Sequence, residues 1–207
     1  CSVNWGIEYA KYAKIDYEVI HHTKVIEDLI KNGDIKVAKN NNDKVTFHDP
    51  CNLSRMMGEV DAPRTSIKSA CNNFSELKEN GKNTLCCGAG GGMWWKKETQ
   101  GKTHLVRAQQ VVDSGSDTVV TACNFCFGMM NQGLGPLTSD EKKPIKVKDV
   151  ADIVAENLQI SDWFYKPIAS NLDYPSDNVC HRLYNFSINF QTMAPKKVMN
   201  ITKSLFF

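Results

Sequence analysis

Five of the eight cysteines follow a spacing that could hold a metal centre. These five are Cys51, Cys86, Cys87, Cys123 and Cys126. They form the pattern C-x34-CC-x35-C-x-x-C, with stretches of nearly equal length on either side of the adjacent pair. Adjacent cysteines are awkward ligands for one metal ion because their Cα atoms lie only about 3.8 Å apart. On a cluster of several irons they can bind different metals. A C-x-x-C pair alone is typical of zinc or of a redox-active dithiol, so these chemistries stay open.

Four glycines directly after the adjacent cysteines remove side-chain bulk there. They are Gly88, Gly90, Gly91 and Gly92. Without side chains, backbone N–H groups can approach anionic sulfur, and such hydrogen bonds adjust the potential of an iron–sulfur centre. A phosphate-binding loop is a weaker interpretation. The segment lacks G-K-[S/T], and Met93 stands where G-x-G-x-x-G needs its last glycine. The glycines are therefore predicted to line the cofactor site.

The flanks of the other three cysteines favour thiolates. Pro50 suits the first position of a helix and Asp49 its N-cap, so Cys51 is predicted in the first helical turn. There the helix dipole would lower the pKa of the Cys51 thiol. Cys123 and Cys126 are predicted to follow a strand and open a helix, where both sulfurs can point to one atom.

Three kinds of side chain could surround such a centre. His48 is a candidate neighbour of the cysteines. Arg55 and Arg107 could offset thiolate charge, although arginines at the solvated surface are the ordinary expectation. Trp94 and Trp95 are predicted to pack over the site as a lid or a helix start.

Short apolar runs alternate with helical patterns along the first three quarters of the chain. Strands are predicted at 44–49 and 117–122, with shorter ones at 17–22 and 144–149, and helices at 23–33, 103–115 and 149–158. This alternation predicts an α/β fold, a mostly parallel sheet with flanking helices. The cysteines would then meet at the carboxyl end of the sheet. Residues 161–207 follow neither the strand period nor the helix period of apolar residues. This predicts an irregular tail that is disordered or packed on the surface.

Composition excludes some classes of partner and compartment. The net charge of +2 gives no reason to expect nucleic acid. No segment is apolar enough to span a membrane, and no signal peptide is visible. Clustered cysteines in a chain with no visible signal peptide indicate metal or redox chemistry in a reducing compartment. The sequence therefore predicts a cytoplasmic location.

Three motifs resemble a known family. "HDPCNLSR", "CCGAGGGMWW" and "TACNFCFGMM" are similar to the cysteine-rich CCG domain of heterodisulfide reductase-like iron–sulfur oxidoreductases. The family has two tandem copies of this unit, and the resemblance implies that this chain carries the second. Cys1 would be the last cysteine of the preceding copy. The implied domains are 1–42, the end of that copy; 43–160, the cysteine-rich domain; and 161–207, the tail.

The resemblance also implies a cofactor and a reaction. The five cysteines would ligate a non-cubane [4Fe–4S] cluster, with electron transfer or disulfide reduction near Cys86 and Cys87. Partners would be a ferredoxin-type protein, a flavoprotein or a membrane cytochrome, and the substrate a disulfide or an electron carrier. Such partners could attach the chain to the cytoplasmic face of the membrane. The chain departs from the family pattern in lacking the first motif and a ferredoxin-type C-x-x-C-x-x-C run.

Two alternatives use the same cysteines differently. Four of the five could hold one tetrahedral zinc ion in a binding module, leaving the fifth unused. Cys123 and Cys126 could instead act as a metal-free dithiol, although "TACNFCFG" lacks thioredoxin-like flanks.

Overall fold

The computed structural model describes residues 3–14, 18–96, 101–138 and 144–159. They form a four-stranded parallel sheet flanked by helices. The strands are β1 (Asn41–Phe47), β2 (Cys71–Ser75), β3 (Thr118–Thr121) and β4 (Lys146–Asp149). The helices are α1 (His22–Lys31), α2 (Asp61–Ala70), α3 (Thr103–Asp113), α4 (Asn124–Thr138) and α5 (Val150–Ala155). No helix in this described part is long and apolar enough to cross a membrane.

The order of the strands creates a crevice in the middle of the sheet. The order is β2-β1-β3-β4, with every neighbouring pair parallel. The chain moves outward from β1 to β2 through α2, then returns across β1 to β3 through α3. The connections after β1 and β3 therefore leave in opposite directions. In open α/β sheets ligands bind at this point, outside the carboxyl ends of the strands.

Apolar side chains pack on both faces of the sheet. On one face α1, α2 and α5 cover β1, with Phe47, Ile67 and Ile153 in a common core. On the other face α3 and α4 pack together, with Val111 and Met130 in a second core. Every residue of β3 is buried, as expected for a central parallel strand. The predicted α/β fold with flanking helices is confirmed.

Most of the predicted elements are present. The strand predictions at 44–49, 117–122 and 144–149 are confirmed by β1, β3 and β4. The three predicted helices correspond to α1, α3 and α5. Helices α1 and α3 end shortly before Gly33 and Gly115, whose φ angles are +76° and +63°. Both glycines take the left-handed conformation that commonly follows a helix.

The strand predicted at 17–22 is wrong, since residues 18–21 belong to no strand. His21 instead caps α1, with its Nδ1 atom 3.4 Å from the backbone N of Thr23. A capping side chain ends the extended segment there, because the helix needs acceptors for its first N–H groups. Cys71 is the buried first residue of β2.

The domain boundaries at 42/43 and 160/161 stay predictions. Cys1 and the segment 161–207 lie outside the described residues.

Candidate metal centre

Three segments bring the five cysteines to the carboxyl edge of the sheet. Cys51 lies shortly after β1, at the start of a single helical turn (Asn52–Met56). Cys123 follows β3, and Cys126 lies in the first turn of α4. Along the sequence, Cys86 and Cys87 lie far from any strand, in the long connection between β2 and α3. That connection crosses the switch point between β1 and β3, which places the pair beside the other three.

The five sulfurs form a continuous chain of contacts. The Cys51 thiol hydrogen-bonds to Cys86, and Cys86 is hydrogen-bonded to Cys87. The Sγ atoms of Cys87 and Cys126 are 3.4 Å apart, and Cys126 also hydrogen-bonds to Cys123. The structure thus brings together every cysteine that the spacing singled out. Cys71 is buried in the core on the other face of the sheet, outside this group.

One side of the sulfur group is closed and the other is open. Cys87 and Cys126 are 4% and 3% exposed, within the core formed with α3 and α4. Cys51, Cys86 and Cys123 are partly exposed. A bound group would therefore be anchored from the protein interior and reached from the side of the other three sulfurs.

Backbone N–H groups point at the adjacent cysteines. Gly88 N lies 3.3 Å from the Sγ atom of Cys86, and Ala89 N donates to Cys87. Gly88 has φ +91°, and a Cβ atom there would lie 3.3 Å from the backbone N of His104. Any side chain at Gly88 would thus meet both backbone strain and crowding.

The other three predicted glycines differ from Gly88. Gly91 and Gly92 have φ angles of +63° and +76°, so they need glycine for the turn itself. A Cβ atom at Gly90, Gly91 or Gly92 would meet no other atom within 4 Å. The close-approach argument therefore applies to Gly88, and the role of all four toward a cofactor stays a prediction.

The protons of the cysteine group are unevenly distributed. Hydrogen bonds from Cys51 and then Cys87 and Gly88 lower the pKa of Cys86 to about 2. A hydrogen bond from Cys126 lowers the pKa of Cys123 to about 6. As the donor to Cys123 and Cys87, Cys126 has a raised pKa. These contacts therefore favour the thiolate form at Cys86 and Cys123 and the thiol form at Cys126.

The prediction of a low pKa at Cys51 is wrong. Its hydrogen bond to Cys86, followed by burial, raises the pKa of Cys51. Asp49, predicted as the N-cap beside it, makes other contacts. Its carboxylate accepts two hydrogen bonds from Arg64, at 2.8 and 2.9 Å, and one from Gly81 N at 2.8 Å. Through these hydrogen bonds the carboxylate connects the segment after β1 to α2 and to the loop that carries the adjacent cysteines.

A buried histidine–arginine pair lies behind the sulfurs. His48 and Arg107 both have zero exposure, so the expected surface position of Arg107 is wrong. Arg107 Nε donates to His48 Nδ1 at 2.9 Å. A ring nitrogen of His48 and the Sγ atoms of Cys87 and Cys126 all lie within 4.8 Å of one another. Burial, and then the charge of Arg107, lowers the pKa of His48 to about 3, so its ring is neutral.

Aromatic side chains line the border of the site on α4. Trp94 packs on Gly128, where an added Cβ atom would lie 2.1 Å from the indole ring. Its ring also meets Phe125 edge-on at 5.7 Å. Trp95 is 74% exposed. Trp94 therefore packs on the first turns of α4, whereas Trp95 is mostly in solvent, and their role as a lid over the site stays a prediction.

These residues fit an iron–sulfur group. Thiolate sulfur is the ligand that such clusters use, and five sulfurs exceed the four that tetrahedral zinc takes. Backbone N–H groups already point at two of the sulfurs. In addition, His48 Nε2 is buried and has no hydrogen-bond partner among the described residues, and such an atom normally has one.

The fold and the site define an α/β domain that presents a cluster of thiolates at its switch point. Comparison with known proteins assigns a family to it. Residues 45–131 match the model of the CCG family, described as a cysteine-rich domain, so this segment of the chain belongs to that family. The matched range contains all five cysteines.

Relatives of the chain are iron–sulfur and heterodisulfide reductase proteins. It is 30% identical over 147 residues to the probable iron-sulfur-binding oxidoreductase FadF of Bacillus subtilis (70% of this chain, 21% of the relative). It is 33% identical over 152 residues to the EtfAB:quinone oxidoreductase of Syntrophomonas wolfei (70% and 21%). It is 34% identical over 155 residues to a subunit of the dihydromethanophenazine:CoB--CoM heterodisulfide reductase of Methanosarcina barkeri (72% and 36%). The chain thus spans about a fifth to a third of the length of these relatives.

Proposed function

We propose that this chain is the cluster-bearing part of an iron–sulfur oxidoreductase. Cys51, Cys86, Cys87, Cys123 and Cys126 hold a non-cubane [4Fe–4S] cluster, at which electrons are transferred or a disulfide is reduced. The observation that carries the proposal is the continuous chain of sulfur contacts across three separate segments. The iron–sulfur and heterodisulfide reductase relatives support it.

Burial assigns different tasks to the cysteines. Cys87 and Cys126 anchor the group from the core, and a substrate approaches from the side of Cys51, Cys86 and Cys123. Reaction near Cys86 and Cys87 thus takes place where one sulfur is accessible and the next is enclosed. The bound cluster supplies one-electron steps. Two electrons from a partner and two protons from solvent break one S–S bond and leave two thiols.

The names of the relatives suggest the partners. They include an EtfAB:quinone oxidoreductase and, from Chromohalobacter salexigens, a probable membrane-anchored ferredoxin. We infer that this chain works within a larger assembly, with a ferredoxin-type protein, a flavoprotein or a membrane cytochrome as electron partner. We place it in the cytoplasm, attached to the membrane through those partners. The cysteines that the structure describes are all free thiols, which agrees with a reducing compartment.

Anaerobic reconstitution with iron and sulfide tests the proposal. We expect iron and acid-labile sulfide in equal amounts, and a clear loss of both when Cys87 or Cys126 is replaced by serine. The matched control is Cys71→Ala, since Cys71 is equally buried but lies on the other face of the sheet. Its iron content should equal that of the parent. A colourless protein that binds one zinc ion, or a parent that binds no iron with its thiols intact, would overturn the proposal.

A further inference from the structure

Arg107 fixes the proton of the buried histidine behind the sulfurs. A guanidinium group only donates hydrogen bonds, and it stays protonated in proteins. Its Nε–H points at His48 Nδ1 at 2.9 Å, so Nδ1 must accept with its lone pair. The single proton of the neutral ring is then on Nε2. His48 is therefore held as an N–H donor, and its Nε2 atom has no free lone pair with which to bind a metal.

The His48 ring lies beside the closed side of the cysteine group. His48 Nε2 is fully buried, and within the described part of the chain it has no hydrogen-bond partner. A His48 ring nitrogen lies within 4.8 Å of the sulfurs of Cys87 and Cys126, and Nδ1 is already engaged by Arg107. A buried donor without an acceptor is unfavourable, because the loss of its hydrogen bond to water is not compensated. The acceptor available nearby is one of these two sulfurs. It would accept the hydrogen bond well if it carried more negative charge than a thiol does.

The arginine also places a positive charge in the same buried region. Within the described residues, its hydrogen bonds all end on uncharged atoms: His48 Nδ1, the Glu79 carbonyl, Gln110 Oε1 and Thr84 Oγ1. A buried cation needs a nearby negative charge to offset the cost of leaving water. The carboxylates of Asp49 and Glu79 offset part of its charge, and the enclosed sulfurs of Cys126 and Cys87 also lie near enough to interact with it. An anionic thiolate-bound cluster would supply further countercharge on the side of the sulfurs.

We propose that His48 and Arg107 are positioning residues that set the reduction potential of the bound cluster. The inference rests on the proposed function and adds a specific donor to it. His48 donates its Nε2–H to sulfur on the buried side, and Arg107 holds that tautomer and contributes positive charge. Both effects stabilise the more negative, reduced state, so together they raise the potential.

Redox titration of the reconstituted protein, followed by EPR, tests the pair. His48→Phe keeps an aromatic ring and removes the N–H, and Arg107→Met removes the charge and releases the ring. Each should shift the midpoint potential to a more negative value. His48→Gln retains an N–H donor and should lie closer to the parent. The double variant should shift by less than the sum of the two single shifts, because part of the effect of Arg107 acts through His48.

Lys148→Met is the matched control. The Lys148 side chain is also mostly buried, but its ion-pair partner is Glu156, and it lies beside Asn41 at the opposite end of β1 from Cys51. Its loss should lower stability and leave the potential unchanged. An unchanged potential in His48→Phe with an intact cluster would overturn the inference while leaving the proposed function in place. A parent protein that binds no cluster would overturn both.

A spectroscopic measurement on the parent protein applies even if the variants lose their iron. With ¹⁵N-labelled histidine, ENDOR in H₂O and D₂O should show an exchangeable proton and a weakly coupled nitrogen near the cluster. A strongly coupled nitrogen would mean that histidine is itself a ligand. The absence of both couplings would mean that His48 does not reach the cluster. Either result contradicts the inference.

Discussion

Asp49 shows how one side chain positions a cysteine without belonging to the sulfur group. It lies two residues before Cys51 and is 1% exposed. Its carboxylate is held by both terminal nitrogens of Arg64 and by the backbone N of Gly81. Arg64 reaches the more exposed Glu76 as well. One guanidinium group thus forms ion pairs with a buried carboxylate and with a partly exposed one. The contributions of the two ion pairs to stability can therefore be compared.

At this residue scale we predict that Asp49→Asn is far more destabilising than Glu76→Gln. The first change leaves a buried, half-paired guanidinium and should lower the free energy of unfolding by about 3 kcal/mol. The second removes a partly exposed pair and should cost below about 1 kcal/mol. Denaturant unfolding of the two variants measures both values. Equal losses would show that burial of Asp49 does not determine the strength of its pairing.

Helices α3 and α4 approach each other closely at Gly133. A Cβ atom at Gly133 would lie 2.8 Å from the carbonyl oxygen of His104 and 2.9 Å from the Cβ atom of Ala108. Gly135, in the same helix, would meet nothing within 4 Å beyond its neighbours in the chain. Since α3 carries Arg107 and α4 carries Cys126, this close packing determines how near the guanidinium lies to the sulfurs.

We therefore predict effects of different size for two alanine substitutions in α4. Gly133→Ala should push the helices apart and lower the free energy of unfolding by about 1–3 kcal/mol, with reduced iron content after reconstitution. Gly135→Ala should cost below about 1 kcal/mol and keep the iron content, because its Cβ atom would meet only the ring of the next residue, Pro136. Thermal unfolding and iron analysis of both variants check this. A fully stable Gly133→Ala variant with normal iron content would contradict the packing described here.

Helix α1 contributes a buried carboxylate with a pH-dependent effect. Burial alone would raise the pKa of Glu27, but hydrogen bonds from Lys24, Lys31 and Thr65 outweigh it and lower the pKa from 4.5 to about 2. A carboxyl group with a depressed pKa in the folded state stabilises the protein above its unfolded pKa. That contribution is lost as the pH falls from about 4.5 to 2.

Glu27→Gln should thus remove part of the acid sensitivity of the protein. At pH 7 the parent should be more stable than the variant by at most about 3 kcal/mol, and the difference should shrink steadily below about pH 4.5. Denaturant unfolding of the metal-free, reduced protein at several pH values measures this. A difference that does not change with pH would mean that the charge of Glu27 contributes nothing.

At the scale of the whole molecule, the sequence predicted the parts that depend on residue type and local period. The central strands, α1, α3 and α5, and the meeting of the five cysteines followed from apolar runs, glycine stops and cysteine spacing. Helix α2 was missed because small and polar residues such as Ala62 and Ser66 are buried on it, which weakens its apolar period. The edge strand β2 was missed because it contains Asn72 and Asn73, residues that strands rarely favour.

The surroundings of the sulfurs could not be predicted from local sequence. Arg107 reaches His48 across 59 positions of sequence, and Asp49 reaches Arg64 on a helix that was not predicted. Such pairings depend on how α2 and α3 pack against the sheet. The distribution of protons follows from the same contacts, which is why the thiolate predicted at Cys51 is at Cys86 instead.

A crystal structure of the reconstituted protein, with anomalous scattering measured at the iron edge, tests the central claim most directly. The account predicts several iron peaks in contact with all five sulfurs, between the core side at Cys87 and Cys126 and the open side at Cys51, Cys86 and Cys123. A single peak at the zinc edge, or iron bound with any of the five sulfurs turned away, would contradict it.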